Sequence, residues 1–194
     1  MKKLTGSLLL ILIAVATTAQ NKTECNVWRI SGVNQLFLPF FADQPSVDGK
    51  KFDAAALLEN VQADDADMKT WPVITLPVDS LVTSVNGECQ LVRMTGFIST
   101  DRWTKASVNI STNAIFELSL NGKKVKSQGR PSERPVKIDL TLGTGIHELS
   151  LKLISTEKTL RFGADISAAT DQAVLAWNTD PGRTLTINDV LEGV

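Results

Sequence analysis

The stretch that decides the fold reads AIFELSLNGKKV from Ala114 to Val125 and, after a polar loop, PVKIDLTLGTGIHELSLKLI from Pro135 to Ile154. Apolar and polar residues alternate along it, and glycine-containing turns interrupt the alternation. A period of two residues is typical of strands that cover one side of a core. The stretch therefore predicts consecutive antiparallel strands of a β-sandwich.

The same alternation continues on both sides of this stretch and predicts the core. Asn121 and Gly122 suit the positive backbone angles of a two-residue hairpin turn. Burial of the apolar rows, at about 1.5–3 kcal/mol for each large side chain, is expected to supply most of the stability. The rows predicted to face inward are Val92, Met94, Gly96, Ile98; Val108, Ile110; Phe116, Leu118, Leu120; Val136, Ile138, Leu140, Leu142; Leu149, Leu151, Leu153; and Leu160, Phe162, Ala164, Ile166.

One short helix is predicted over residues 52–60. Leu57 and Leu58 give it an apolar face, and Asp53 is placed to cap its first turn. A helix of this length needs support from the sandwich. The predicted fold class is therefore all-β, a jelly-roll β-sandwich with one short helix.

Residues 1–19 have the three parts of a secretory signal peptide. A basic start at residues 1–3 precedes an apolar run at residues 8–15, and small residues lead to a cleavage site predicted after Ala19. A membrane anchor is the alternative, but the run is short for a spanning helix. Cleavage removes two lysines and no acid, so the net charge becomes 18 − 21 = −3. We expect a mildly acidic protein in the periplasm or outside the cell, with no membrane attachment after cleavage.

The composition fits one globular domain. Hydrophobic residues make up 43% of the 194 residues and charged residues 21%, which is too apolar for a disordered chain. The net charge of −1 leaves no basic excess for nucleic acid. We expect the sandwich to occupy residues 20–170. Residues 171–194, with two apolar stretches around a turn, are interpreted as a C-terminal strand or linker that leads into a further domain.

The two cysteines, Cys25 and Cys89, permit one disulfide in an oxidising compartment. Such a bridge would stabilise the fold by roughly 4 kcal/mol in the chain-entropy model. Two unpaired thiols are the alternative. No Cys-x-x-Cys pair is present, so the sequence supports neither a zinc knuckle nor a redox motif.

Residues 63–67 carry three carboxylates, which makes calcium a candidate ligand because this cation prefers several oxygen atoms. The stretch lacks the glycine and the distal glutamate of a calcium-binding helix–loop–helix. A solvated acidic loop is the alternative. We therefore assign no residue as a metal ligand and expect no other cofactor.

The sequence offers no catalytic constellation. The single histidine, His147, lies in phase with a row of core leucines and is interpreted as a packing residue. No Gly-x-Ser-x-Gly elbow, His-Glu-x-x-His motif or phosphate-binding loop is present. Glu117 and Asp139 are candidates for a glycosidase pair, but carboxylates on the outward faces of strands are usually solvated. The prediction is therefore that the protein is not an enzyme.

Binding is more plausible than catalysis, and two loops carry the candidate residues. Asp101, Arg102 and Trp103 combine an aromatic face with charged groups, which suits the apolar side of a pyranose and its hydroxyls. Arg130 and Glu133 lie in a second polar loop, either near the first or at the opposite end of the sandwich. Packing in the core or at its rim is the alternative role for each tryptophan.

Residues 70–165 contain a strand ending in Leu-Ser-Leu-Asn-Gly-Lys, a loop, and then Leu-Gly-Thr-Gly-Ile-His-Glu-Leu-Ser-Leu-Lys. This order resembles the galactose-binding-like jelly-roll domains. The start of the mature chain, with Trp28 and a Pro-Phe-Phe segment, is similar to N-terminal accessory domains of exported bacterial hydrolases. The closing TINDVLEGV resembles the lead-in to the β-propeller of prolyl-oligopeptidase-like or Tol-type proteins. The resemblance implies a jelly-roll fold and an accessory role, and it transfers no ligand contact.

The function predicted from the sequence is that of a non-catalytic exported accessory module, glycan-binding, at the N-terminus of a larger extracytoplasmic protein. One alternative is a structural or assembly domain that packs on a following β-propeller or hydrolase domain of the same polypeptide. A small secreted hydrolase is the second alternative, although it lacks a nucleophile–base pair.

Overall fold

The computed structural model describes residues 22–36, 47–50, 53, 55–60, 68–76, 90–132, 134–155, 157, 159–170 and 172–182. These residues contain eleven strands, numbered here in chain order, one α-helix and a short 3-10 turn at Met68–Thr70. The strands are β1 (Lys22–Glu24), β2 (Val27–Gln35), β3 (Val73–Thr75), β4 (Gln90–Thr100), β5 (Thr104–Thr112), β6 (Ile115–Leu120), β7 (Lys123–Gln128), β8 (Val136–Leu142), β9 (Gly145–Ser155), β10 (Phe162–Ala168) and β11 (Leu175–Asn178). The helix is α1 (Ala55–Asn60).

The strands form two antiparallel sheets that pack face to face. The small sheet has the strand order β1-β10-β5-β8, and the large sheet has the order β3-β2-β4-β9-β6-β7. The remaining strand, β11, pairs with the last four residues of β4. It lies along the same edge of β4 that pairs with β2 nearer the start of the strand, while β9 occupies the other edge. The predicted all-β sandwich with one short helix is confirmed.

The predicted inward rows form the core between the sheets. All members of the β4, β5 and β9 rows are buried, while Leu120, Val136 and Ala164 are half-buried at its border. Alternation produces this result because successive side chains of a strand point to opposite faces. The hairpin between β6 and β7 is also as expected, with φ angles of 50° at Asn121 and 73° at Gly122.

An aromatic cluster fills the core beneath β4. The ring of Trp28 lies 5.5 Å from that of Phe162, edge to face, and 4.5 Å from that of Trp177. Each indole nitrogen donates a hydrogen bond to a main-chain carbonyl, Trp28 to Cys25 and Trp177 to Val27, both at 2.6 Å. The indole of Trp177 lies directly over Gly96, where a Cβ atom would overlap it. The cluster therefore depends on the absence of a side chain at this position.

A second, smaller core lies on the outer face of the large sheet. Asp53 caps α1 as predicted, since its Oδ1 accepts a hydrogen bond from the amide of Ala55 at 2.9 Å. Leu58 of the helix is fully buried against three residues of the sheet, Leu91, Ile115 and Ile154. The helix thus covers one end of a face that would otherwise be solvated.

Glu117 is buried beside this helix, which corrects the expectation that its carboxylate is solvated. Its side chain is 9% exposed and accepts from the ammonium groups of Lys124 at 3.2 Å and Lys152 at 3.1 Å. Lys152 also donates to the carbonyl of Leu58 at 3.5 Å. The burial follows from α1, which no strand pattern in the sequence places over β6.

The sandwich continues beyond residue 170. Strand β11 pairs with β4 from Leu175↔Thr100 to Asn178↔Phe97, and Ala173 is buried in the core. Part of the segment interpreted as a C-terminal strand or linker is thus an integral strand of the large sheet. Several predictions lie outside the described residues: the signal peptide at 1–19, the acidic stretch at 63–67, Cys89, Glu133 and the end of the chain at 183–194.

Candidate functional site

The loop between β4 and β5 brings three of the predicted binding residues together at one end of the sandwich. It crosses from the large sheet to the small sheet in only three residues, Asp101, Arg102 and Trp103. The hydroxyl of Thr100 donates to the carbonyl of Arg102 at 2.8 Å and accepts from its amide at 3.4 Å. The main chain of the loop is therefore held in a tight, hydrogen-bonded turn.

Asp101 anchors this loop on both sides. Its Oδ2 accepts from Nε of Arg102 at 3.0 Å and from Nη2 at 2.9 Å, and its Oδ1 accepts from the amide of Val174 at 3.2 Å. The hydrogen bond from Arg102, with a smaller contribution from the Val174 amide, lowers the pKa of the Asp101 carboxyl below its ordinary value. The carboxylate thus fixes its neighbour's guanidinium and ties the loop to the segment before β11.

Trp103 presents its indole to solvent from this fixed turn. Its side chain is 61% exposed, whereas Trp28 is fully buried and Trp71 and Trp177 are half-buried. Packing in the core, the alternative role for each tryptophan, therefore applies to Trp28. Most of the Trp103 indole is instead exposed to solvent. An exposed indole beside an ordered carboxylate and guanidinium has the composition that a pyranose-binding surface needs.

His147 lies near the same end of the sandwich, where it joins two turns. Its Nε2 is 2.8 Å from the carbonyl oxygen of Gly143, which can only accept, so Nε2 carries the proton. Nδ1 then accepts from the side-chain amide of Asn121 at 3.1 Å. Asn121 in turn exchanges hydrogen bonds with the main chain of Glu148. Both ring nitrogens are engaged in holding the turns, which leaves neither to activate a nucleophile.

The second predicted loop lies at the opposite end of the sandwich. Strand β8 begins at Val136 beside Ile110 and ends at Leu142 beside Thr104, which adjoins Trp103. Six residues of extended strand separate the two positions by about 20 Å. Arg130, in the loop before β8, therefore does not share a site with Trp103, and Glu133 lies outside the described residues.

The two carboxylates considered for glycoside hydrolysis lie on different sheets. Glu117 faces outward from the large sheet under α1, and Asp139 faces outward from the small sheet, where it accepts from Ser107 at 2.9 Å. Packed sheets are about 10 Å apart, and side chains on their outer faces point away from each other. The separation exceeds the roughly 5–9.5 Å that glycosidase pairs use.

A cleft of about 320 Å³ lies beside β1 and β10, near the end that Arg130 occupies. Lys22 and Asp165 form an ion pair of 3.3 Å at its wall. Cys25 lies buried in the same wall, and burial, with a smaller effect from Asp165, raises the pKa of its thiol. Burial thus disfavours the reactive thiolate. The disulfide with Cys89, which lies outside the described residues, stays a prediction.

Sequence reasoning missed the contacts that hold the Trp103 loop in place. Val174 is 73 residues away from Asp101, and Thr100 is a strand residue with no motif around it. The contact with Val174 has no local signal, because the pairing of β11 with β4 brings Val174 to the loop. The bonds between Thr100 and Arg102 are local, since a threonine hydroxyl often bonds the main chain two residues on. Within the described part of the chain, no three or more His, Cys, Asp or Glu residues group as metal ligands, and no helix is long and apolar enough to cross a membrane.

Together, these features define an antiparallel two-sheet β-sandwich with an exposed aromatic loop at one end. No family model matches the sequence, and no curated protein matches it. Among solved structures, the chain is similar to the PA14 sugar-binding domain of an RTX adhesin, with 10% identity, a TM-score of 0.48, and coverage of 81% of this chain and 99% of that one. The PA14 domain of the MpAFP antifreeze protein has 15% identity and a TM-score of 0.42, with 80% and 87% covered.

A β-glucosidase from Kluyveromyces marxianus, solved with glucose, has 13% identity and a TM-score of 0.44 over 75% of this chain. The matched region spans only 16% of the β-glucosidase chain in this structure. In a second structure of the same enzyme it spans 13%. Similarity at these levels assigns neither a ligand nor an activity to the present chain. The galactose-binding-like resemblance also stays a prediction.

Proposed function

We propose that this chain is a non-catalytic, exported carbohydrate-binding module and that the β4–β5 loop is its contact site. The observation that carries the proposal is the 61% exposure of Trp103 on a loop fixed by hydrogen bonds. An indole stacks well on the apolar face of a sugar ring. Because the main chain of the loop is already ordered, binding costs little further conformational entropy.

The polar groups beside the indole support the same reading. The Arg102 side chain is 53% exposed and that of Asp101 is 36% exposed, so both can reach a ligand while they hold each other. Guanidinium groups only donate hydrogen bonds and carboxylates only accept them, whereas a sugar hydroxyl does both. The pair therefore offers complementary partners to neighbouring hydroxyls of one ring.

A glycan array followed by calorimetric titration of the strongest hit tests the binding site. We expect Trp103→Ala to weaken binding at least about tenfold, because it removes the stacking surface, and Trp103→Phe to keep part of the affinity. Val73→Ala is the matched control, since it shortens another exposed apolar side chain far from the loop. An array without any response, or a Trp103→Ala variant with unchanged affinity, would refute the proposal.

Export is the second component of the proposal, and the signal peptide predicted for residues 1–19 supports it. Expression of the full chain in a bacterial host, followed by N-terminal sequencing of the exported fraction, tests this component. We expect a mature protein that begins at Gln20. Retention of residues 1–19 on a protein that stays in the cytoplasm would contradict it.

A further inference from the structure

On the side where β7 is the last strand, the large sheet extends further than the small sheet. Directly opposite residues of an antiparallel pair share a face, so Lys126 and Gln128 share the core face with their partners Leu118 and Phe116. Leu118 and Phe116 are fully buried, whereas Lys126 is exposed and Gln128 is half-buried. Among the described residues, the small sheet therefore leaves the core face of β7 uncovered.

The last strand of the small sheet on this side is β8. A two-residue turn joins β8 to β9, which places it over the β9–β6–β7 side of the large sheet. Strand β8 pairs with β5, and no other described strand pairs with its second edge. We call the free edge of β8 together with the uncovered face of β7 the β7–β8 step.

Edge strands are usually protected against pairing. In the described part of the chain five strands have a free edge, namely β1, β3, β7, β8 and β11, and β11 has only four residues. Strands β1 and β3 are only three residues long, and β7 carries three lysines and a register shift. In contrast, β8 has seven residues with regular alternation and an uninterrupted register with β5. Its edge is the one among them that remains suited to accept another strand.

The charge around the step indicates what kind of strand it accepts. Lys123 and Lys126 are exposed on the uncovered face of β7, and Lys137 is exposed on β8. Arg130 and Arg134 are exposed in the loop that joins the two strands. Five cationic side chains thus border the step, against one exposed acid of β8, Asp139, so an acidic occupant would complement the positive excess.

We propose that the β7–β8 step is a docking site for an extended acidic segment of a partner protein, which pairs with β8 as a fifth strand of the small sheet. The main chain of the segment would hydrogen-bond to the free edge, and every second side chain would face the lysines of β7. This site is separate from Trp103 and does not depend on carbohydrate binding. A purely electrostatic contact, for example with an acidic polysaccharide, is the competing explanation.

Fluorescence anisotropy of a labelled peptide, as long as β8 and alternating glutamate with valine, tests the proposal on the full chain. We expect the acidic peptide to bind at least about tenfold more tightly than a counterpart that alternates lysine with valine, with an affinity that falls as salt rises. Lys123→Glu/Lys126→Glu should abolish most of this preference. Lys22→Glu/Lys69→Glu changes the net charge equally on the opposite edge and should not.

Backbone methylation of the peptide separates strand pairing from charge attraction. A strand directs alternate amides to its two edges, so methylation of one alternate set blocks the edge that faces β8 and methylation of the other set does not. We expect one methylated peptide to lose binding and the other to retain it. If both bind as well as the parent peptide, the step is only a charged surface and the proposal is wrong. Equal binding of acidic and basic peptides would also overturn it.

Discussion

Gly96 is a position in the core where a single added methyl group should be strongly destabilising. The residue lies in the inward row of β4, and the indole of Trp177 covers it at a distance that leaves no room for a Cβ atom. Three atoms of the indole lie within the overlapping region, and they belong to a rigid ring rather than to the end of a flexible chain. In Gly96→Ala, either the indole or the strand must therefore move.

The expected cost follows from what that movement disturbs. Inserting a carbon atom into a close-packed core costs about 1–3 kcal/mol. Displacing the indole also weakens its 2.6 Å hydrogen bond to Val27, about 1 kcal/mol, and its ring contact with Trp28, about 0.5–1.5 kcal/mol. We expect the free energy of unfolding to fall by about 4 kcal/mol, which corresponds to a melting temperature lower by about 10 °C.

Urea denaturation and thermal melting of a double-mutant cycle measure this coupling. Trp177→Ala alone should cost about 3 kcal/mol, and Gly96→Ala should be nearly neutral in that background because the obstructing ring is gone. Gly143→Ala is the matched control, since its Cβ would meet only His147 at an ordinary 4.0 Å. If Gly96→Ala costs less than about 1 kcal/mol, or the same in both backgrounds, the packing argument is wrong.

Three further predictions concern charged and reactive groups. Glu117→Gln should lower the free energy of unfolding by about 2 kcal/mol, because it leaves the partly buried Lys152 and the exposed Lys124 without their shared carboxylate; urea denaturation measures this. The hydrogen bond from Arg102 lowers the pKa of Asp101, so its stabilisation is complete above about pH 4 and is lost as the pH falls through the lowered pKa. Acid titrations of stability should therefore become flatter in Asp101→Asn. Cys25 should resist thiol-specific labelling in the folded protein, because burial raises its pKa. If the predicted disulfide with Cys89 forms, labelling should require both unfolding and a reductant.

Each of these has an outcome that would contradict it. An unchanged unfolding free energy in Glu117→Gln would mean that the lysines are already well solvated. A wild-type acid profile in Asp101→Asn would show that the loop is not held by its carboxylate. Labelling of Cys25 in the native state would contradict its burial, and labelling after unfolding without a reductant would exclude the disulfide.

The fold could be predicted from the sequence to the extent that its signals are local. The inward row from Leu149 to Leu153 is buried as expected, because alternation along a strand directly determines which side chains face the core. The turn at Asn121 and Gly122 forms as expected, because these two residue types adopt positive φ angles at little cost. The cap at Asp53 is likewise a local hydrogen bond.

The candidate site could be predicted only in part for the same reason. The three consecutive residues from Asp101 to Trp103 are necessarily neighbours, so their juxtaposition was available from the sequence. The anchoring of Asp101 by Val174 depends on the pairing of two strands that are far apart in the chain. The separation of Arg130 from Trp103 depends on the direction in which β8 runs beside β5.

The sequence by itself thus determined the strands, the hairpin turn, the capped helix and the residues that face the core, since each depends on contacts between near neighbours. Only the tertiary structure decided which side chains outside the core are buried, which loops share an end and which sheet edges stay open. Glu117 is buried because a helix from another part of the chain covers it. The β7–β8 step exists because one sheet has fewer strands than the other, and strand number arises from pairing across the whole chain.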